Sequence, residues 1–182
     1  VKAMMSQCDT RFYHGYRDYV SMVVILDTAI RIGELVQTVV DDYDLVNRKV
    51  RVRAIVSKTR EERILPLSKV TVKLLEELIE IDLENGCETV FNSKFGTVAD
   101  SGYMSRQYRR YGRRCGIKKT CTPYIFRHTA AVEMVRKNVD VFTLQKMMGH
   151  KDITTTRQYV QLNFEDVQKR HFEAGVLEEL LR

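Results

Sequence analysis

The chain has 182 residues, room for one substantial hydrophobic core, so a single domain is the expectation. Thirty Lys and Arg against 24 Asp and Glu leave a net charge of +6, a balance that leans, weakly by itself, towards a polyanionic partner such as nucleic acid. Ordinary apolar content, high charge and only two prolines describe a soluble, helix-rich protein, for which a cytoplasmic location is expected. No apolar run approaches the roughly 20 residues of a membrane span and no signal-peptide pattern opens the chain. The four cysteines (Cys8, Cys87, Cys115, Cys121) show neither a Cys-x-x-Cys pair nor a zinc-finger spacing to His. Reduced thiols are expected, with no metal site and no disulfide framework. The chain opens at Val1 without an initiator Met and reads as a fragment lacking an upstream segment.

Residues 16–30 are apolar around most of the helical wheel, which predicts a buried central helix. A short helix from about Gly33 to Val39 follows Arg31, and Asp41 to Asn47 reads as a turn. Over 49–57, Val50, Val52, Ala54 and Val56 alternate with Arg51 and Arg53, the mark of a half-exposed strand. A polar turn over 57–62 leads to a short return strand, Arg63 to Leu67, whose Pro66 suits a sheet edge. Thr89-Val90-Phe91 reads as a third strand. Between these lies a helix over 69–84, with Gly86 as its stop.

Residues 100–115 form the clearest amphipathic helix, with Met104, Tyr108, Tyr111 and Cys115 on one stripe. Arg106, Arg109, Arg110, Arg113 and Arg114 lie opposite. Helices follow over about 123–137 and over 140–148, the latter bounded by Asp140 as N-cap and Gly149 as stop. Asp152 caps a short helix from Ile153 towards Tyr159, and 164–174 and 176–182 suggest two more. The fold class is mainly α with a small antiparallel β-sheet (α+β), a single domain over 1–182.

Five segments carry chemistry. Arg31 lies in Ala29-Ile30-Arg31-Ile32-Gly33-Glu34-Leu35, Lys58 in the hairpin turn, and Arg127 in Thr122-Pro123-Tyr124-Ile125-Phe126-Arg127-His128-Thr129. His150 ends Met148-Gly149-His150, and Tyr159 ends Thr154-Thr155-Thr156-Arg157-Gln158-Tyr159. Phosphoryl transfer without a metal needs cationic donors on the non-bridging oxygens and proton partners for the attacking and leaving oxygens. Arginine suits the first task because its planar fork binds phosphate bidentately and keeps its proton. His150 can donate to the phosphate or assist Tyr159. A phenol, of ordinary pKa about 10, needs such a cationic setting to attack. Lys58 can bring an ammonium to the leaving oxygen, and no carboxylate cluster suggests a two-metal nuclease.

Taken singly, each residue has an ordinary alternative. Arg31 and Arg127 fit helix-end surface charges, Lys58 a solvated turn lysine, His150 a helix C-cap and Tyr159 a half-buried aromatic. Their joint occurrence in order favours catalysis.

Those five segments make the chain resemble the catalytic domain of the tyrosine recombinases, or phage-type integrases, over essentially its whole length. The steps of 23 residues from Arg127 to His150 and nine from there to Tyr159 fit that family. The resemblance implies a site-specific DNA recombinase or integrase of bacterial, phage or mobile-element origin, associated with the nucleoid. Tyr159 would attack the scissile phosphate to form a 3′-phosphotyrosyl link, with Arg31, Arg127 and His150 stabilising the transition state. Lys58 would protonate the leaving 5′ oxygen, and neither metal nor nucleotide cofactor is implied. Tyr124 departs from the pattern, standing where the family usually has His or Lys three residues before the second arginine. It is expected to keep a phosphate contact while base duty falls on another group.

Two surfaces extend this reading. Arg106, Arg109, Arg110 and Arg113 suit a helix lying on double-stranded DNA, the alternative being a solvated charged face, and Arg51 and Arg53 are candidates for phosphate contacts from the sheet. The resemblance also implies a missing N-terminal DNA-binding domain, and a synaptic homotetramer in which residues 173–182 dock on a neighbouring protomer. The alternative for that segment is a helix folded on its own domain. The competing functions are a type IB topoisomerase-like nicking-closing enzyme and a DNA-binding module without the chemistry.

Overall fold

A helix through the middle of the molecule sets the frame. In a computed structural model describing residues 1–93, 96–160, 168, 172 and 173, Tyr13–Thr28 (α2) follows a four-residue helix, Lys2–Met5 (α1), that the sequence pattern did not announce. Val20, Met22, Val24 and Ile25 are fully buried, as the apolar wheel requires. The helix starts three residues before the expected 16 and stops at Thr28, because Ala29 turns left-handed (φ 55°) while its N–H still bonds Ile25 O. That conformation costs a Cβ-bearing residue about 1–2 kcal/mol. It throws Arg31 into an extended conformation as the N-cap of Ile32–Leu35 (α3), which is shorter than the expected 33–39.

The sheet has three antiparallel strands in the order β1-β2-β3: Tyr43–Asp44 (β1), Lys49–Val52 (β2) and Arg63–Pro66 (β3). Val50 pairs with Leu65 and Val52 with Arg63, and Pro66 sits on an edge strand as expected. Two expectations fail. The strand over 49–57 ends at Val52, where Arg53 turns its side chain to Asp42 and its carbonyl accepts from Val56 and Ser57. Thr89–Phe91 is not the third strand. Thr89 makes only an isolated bridge with Val39, and Val90 and Phe91 are core side chains. The third strand comes instead from Tyr43–Asp44, inside the segment read as a turn.

Lys69–Glu84 (α4) starts at Ser68, whose hydroxyl accepts from Thr71 N, and packs on α2. Ser101–Arg114 (α5) is capped by Asp100 and buries Met104, Tyr108 and Tyr111 in the main core. Pro123–Arg136 (α6) opens with proline, where no N–H is missed, and also packs on α2. Val141–Met148 (α7) lies between Asp140, which accepts from Phe142 N and Thr143 N, and left-handed Gly149. Thr154–Arg157 (α8) is shorter than the expected 153–159. A smaller apolar cluster of Ala29, Ala130, Ala131, Leu144, Met148 and Tyr159 forms where α6, α7 and the end of α8 meet. No helix among the described residues is long and apolar enough to cross a membrane. The helices expected over 164–174 and 176–182, and the docking segment, fall almost wholly outside the described residues.

Candidate active site

The site is built on the C-terminus of α7. A helix end leaves its last carbonyls without intrahelical donors and carries the negative end of the helix dipole, so cations settle there. Here three consecutive carbonyls each accept from a different arginine. Arg63 Nε donates to Met147 O at 2.9 Å, Arg127 Nη2 to Met148 O at 2.8 Å, and Arg31 Nη2 to Gly149 O at 3.0 Å. Gly149 is required twice over: its φ is +62°, and a Cβ there would lie 3.1 Å from the Arg63 guanidinium carbon and 3.3 Å from Arg31 Nη1.

Glu34, on the first turn of α3, ties two of these arginines together. Its carboxylate accepts from Arg31 N at 3.2 Å, Arg31 Nη1 at 3.1 Å and Arg63 Nη1 at 3.2 Å, and again from Arg63 Nη2. Burial works to raise its carboxyl, but the hydrogen bonds and charge of Arg63, then Arg31, hold it below the usual carboxylate range. Arg127 has no carboxylate partner among the described residues and donates instead to Ala29 O at 2.6 Å. Burial first, then the nearby charge of Arg31, pushes its guanidinium down to about 9. One carboxylate, bonded to Arg31 and Arg63, thus stands against three buried or half-buried guanidinium groups. The excess positive charge is arranged for an anion with several acceptor oxygens.

His150 follows the glycine turn. Its Nε2 lies 3.1 Å from Arg127 Nη2 and its Nδ1 2.9 Å from Thr156 Oγ1. A guanidinium only donates, so Nε2 is the bare nitrogen and Nδ1–H donates to Thr156. Burial, then Arg127, Arg31 and Arg63, pushes the imidazole down to about 4, which keeps it neutral at pH 7.

Tyr159 is 8% exposed, its ring in the small apolar cluster. Burial raises its phenol, interaction with the phenol of Tyr124 raises it further, and Arg127 opposes both. The His128 ring meets it in a tilted contact, 5.2 Å between centroids, and stacks at 6.3 Å on Tyr124. Exposed Tyr124 lines one open cleft together with Ile30, Arg31, Ile32, Pro123, Arg127 and His150. Four of the six expected catalytic side chains therefore share a cleft, with Tyr159 packed beside it. Lys58 does not join them: it is exposed in the β2–β3 turn, with no hydrogen bond or ion pair to the cluster.

Among the candidate DNA contacts, Arg51 and Arg53 both turn to buried Asp42, at 3.3 and 3.0 Å, so each already has a structural partner. Arg106, Arg109, Arg110 and Arg113 line the exposed face of α5. Sequence reasoning missed Glu34, Arg63 and Thr156. Arg63 gave a signal, since the alternation that buries Leu65 also points Arg63 inward. Glu34 gave another, lying three residues after Arg31 at the start of a helix. Among the described residues no group of three or more His, Cys, Asp or Glu side chains gathers as a metal site would.

A mainly helical domain with a small antiparallel sheet, bearing an arginine cluster beside a tyrosine, defines a class, and the comparisons specify it. The chain belongs to the phage integrase family, whose model matches residues 1–166. It is 29% identical over 178 residues to the tyrosine recombinase XerC of Chlamydia pneumoniae, covering 96% of this chain and 56% of that one. It is 34% identical over 158 residues to XerA of Saccharolobus solfataricus, covering 87% and 50%. The chain thus spans about half the length of these curated relatives. The crystal structure of XerA recombinase superposes with a TM-score of 0.78 at 26% identity, covering 95% of this chain and 62% of that chain. The Tn1549 transposon integrase, in complex with transposon right end DNA, superposes at 0.79 with 18% identity, covering 94% and 63%, a likeness of fold.

Proposed function

We propose that this chain is the catalytic domain of a site-specific DNA recombinase or integrase, cleaving and rejoining strands through a 3′-phosphotyrosyl intermediate. The observation that carries the reading is the fixing of Arg31, Arg63 and Arg127 on three successive carbonyls, with one carboxylate among them, beside Tyr159. A phosphodiester in the cleft supplies the missing negative charge. Arg31 and Arg127 hold its non-bridging oxygens as the transition state gains charge, and Tyr124 donates one further hydrogen bond. The same phosphate opposes the charges that keep His150 neutral, so His150 can take a proton and donate it to an oxygen. Tyr159 Oη then bonds to phosphorus as the P–O5′ bond breaks. Lys58 protonates the leaving oxygen once DNA draws the β2–β3 turn over the cleft. Attack by the 5′ hydroxyl of a partner duplex reverses the step and needs no energy source, because the phosphotyrosine retains the bond.

In this reading the arginines of α5 contact backbone phosphates of double-stranded DNA. The whole protein carries a further DNA-binding domain and works as a homotetramer on DNA, with the end of the chain reaching a neighbouring protomer, in the cytoplasm at the nucleoid. The curated relatives named above are recombinases, which favours exchange between duplexes over nicking and resealing of one. The test is incubation with a library of nicked duplexes of randomised sequence, in which cleavage releases a short strand and traps the protein. A covalent complex formed by this chain and absent with Tyr159→Phe is expected. No complex from the unaltered chain would refute the reading.

A further inference from the structure

Resting on the reading above, we infer that His128 accepts the proton Tyr159 gives up as its oxygen bonds to phosphorus. The step balances: Tyr159 Oη–H breaks towards a His128 ring nitrogen, Oη–P forms and P–O5′ breaks. The leaving oxygen is protonated by the acid of the proposed reaction, and in rejoining His128 returns its proton to the phenol.

His128 stands one helical turn after Tyr124 on α6, and its ring touches both tyrosine rings, 5.2 Å from that of Tyr159 and 6.3 Å from that of Tyr124. Tyr124 interacts directly with the Tyr159 phenol, but a phenol is a feeble base for another phenol. His150 has both ring nitrogens engaged, by Arg127 and Thr156, and once the phosphate has let it take a proton it holds no lone pair for the phenol's. The other described imidazole, His14, stacks on Phe12 and lines a separate hollow with Asp9 and Tyr111.

That leaves His128, exposed and in ring contact with both tyrosines, an imidazole that can accept a proton on an unprotonated ring nitrogen. Among the described residues, the titratable groups whose rings meet it are Tyr124 on its own helix and Tyr159 after α8, and Arg127 precedes it in the chain. The Arg127 guanidinium is directed inward to Ala29 O and Met148 O. The two rings of His128 and Tyr159 meet without a hydrogen bond between them. A turn of the exposed imidazole is the movement required.

The test uses the full chain and the duplex recovered from its covalent complex, remade with sulfur in place of the bridging 5′ oxygen. A thiolate leaves without a proton, so the rate reports on the nucleophile's side alone. His128→Ala should slow single-turnover cleavage about 100-fold. Added imidazoles should restore it, more strongly as their basicity rises. His128→Phe, which keeps a ring for packing, should show the same loss. Adding Tyr124→His to His128→Ala, which puts an imidazole back one turn earlier on the same helix face, should recover most of the rate. A His128→Ala rate within about threefold of the unaltered chain, or a loss that no imidazole relieves, overturns the assignment while leaving the proposed function standing. Failure of the unaltered chain to form any complex removes both.

Discussion

Glu34→Gln probes whether one carboxylate holds the arginine cluster together. Glutamine keeps the shape and one acceptor oxygen but removes the charge that Arg63 and Arg31 share. Arg63 and Glu34 expose only 5% and 3% of their side chains, so the stranded guanidinium cannot recover its hydration. Removing one partner of such a buried pair costs about 3–5 kcal/mol. For a domain of this size each kcal/mol lowers the melting temperature by about 2–4 °C, so a fall of about 10 °C is expected by circular dichroism. Inorganic phosphate should recover part of it, because an anion in the cleft replaces the lost charge and binds only the folded chain. The pH dependence has a definite sign. The folded Glu34 carboxyl lies below its ordinary 4.5, so its contribution is present above that pH and is lost as pH falls through the folded value. The two melting curves should therefore converge in acid. A Glu34→Gln chain melting within about 2 °C of the unaltered one at pH 7 would refute the reasoning.

Three further outcomes are expected. His150 is depressed from 6.5 to about 4, so the unfolded chain binds the extra proton between those values. Stability should fall as pH drops from about 6.5 towards 4, and urea midpoints of His150→Gln should lose that slope. Gly149→Ala should cost about 1–2 kcal/mol in denaturant titrations from its left-handed backbone alone. Because its Cβ meets the Arg63 and Arg31 guanidinium groups, covalent-complex formation should slow as well; an unchanged rate would show that the turn does not set the arginines. Arg109→Gln with Arg113→Gln should reduce the slope of log binding constant against log salt by about 2, with the melting temperature unchanged. An unaltered slope would return the α5 face to the role of a solvated charged surface.

Legibility in the sequence followed the range of the interactions. Periodic apolar positions placed α2, α4, α5, α6 and α7 within a few residues, and Asp140 and Gly149 bounded α7 as read. What depends on distant partners was not readable. Tyr43–Asp44 is a strand only because Lys49 and Val50 pair with it, and Val90 and Phe91 are drawn into the core instead of extending a sheet. At the site, Arg31, Tyr124, Arg127 and His150 share a cleft as their spacing suggested, whereas Lys58 lies on a solvent-facing turn. Arg63 and Glu34 escaped notice because their pairing spans 29 positions and shows itself only as burial of opposite charges.

The tripeptide Met147-Met148-Gly149 acts as a ruler. Each of its peptide oxygens is one notch, and each notch seats an arginine from a different part of the chain. Adding or deleting one residue there would shift all three seats together, so length changes in related chains should fall in the surrounding loops and spare this stretch. An engineer wishing to graft the chemistry onto another scaffold would have to transplant that ruler before any of the arginines.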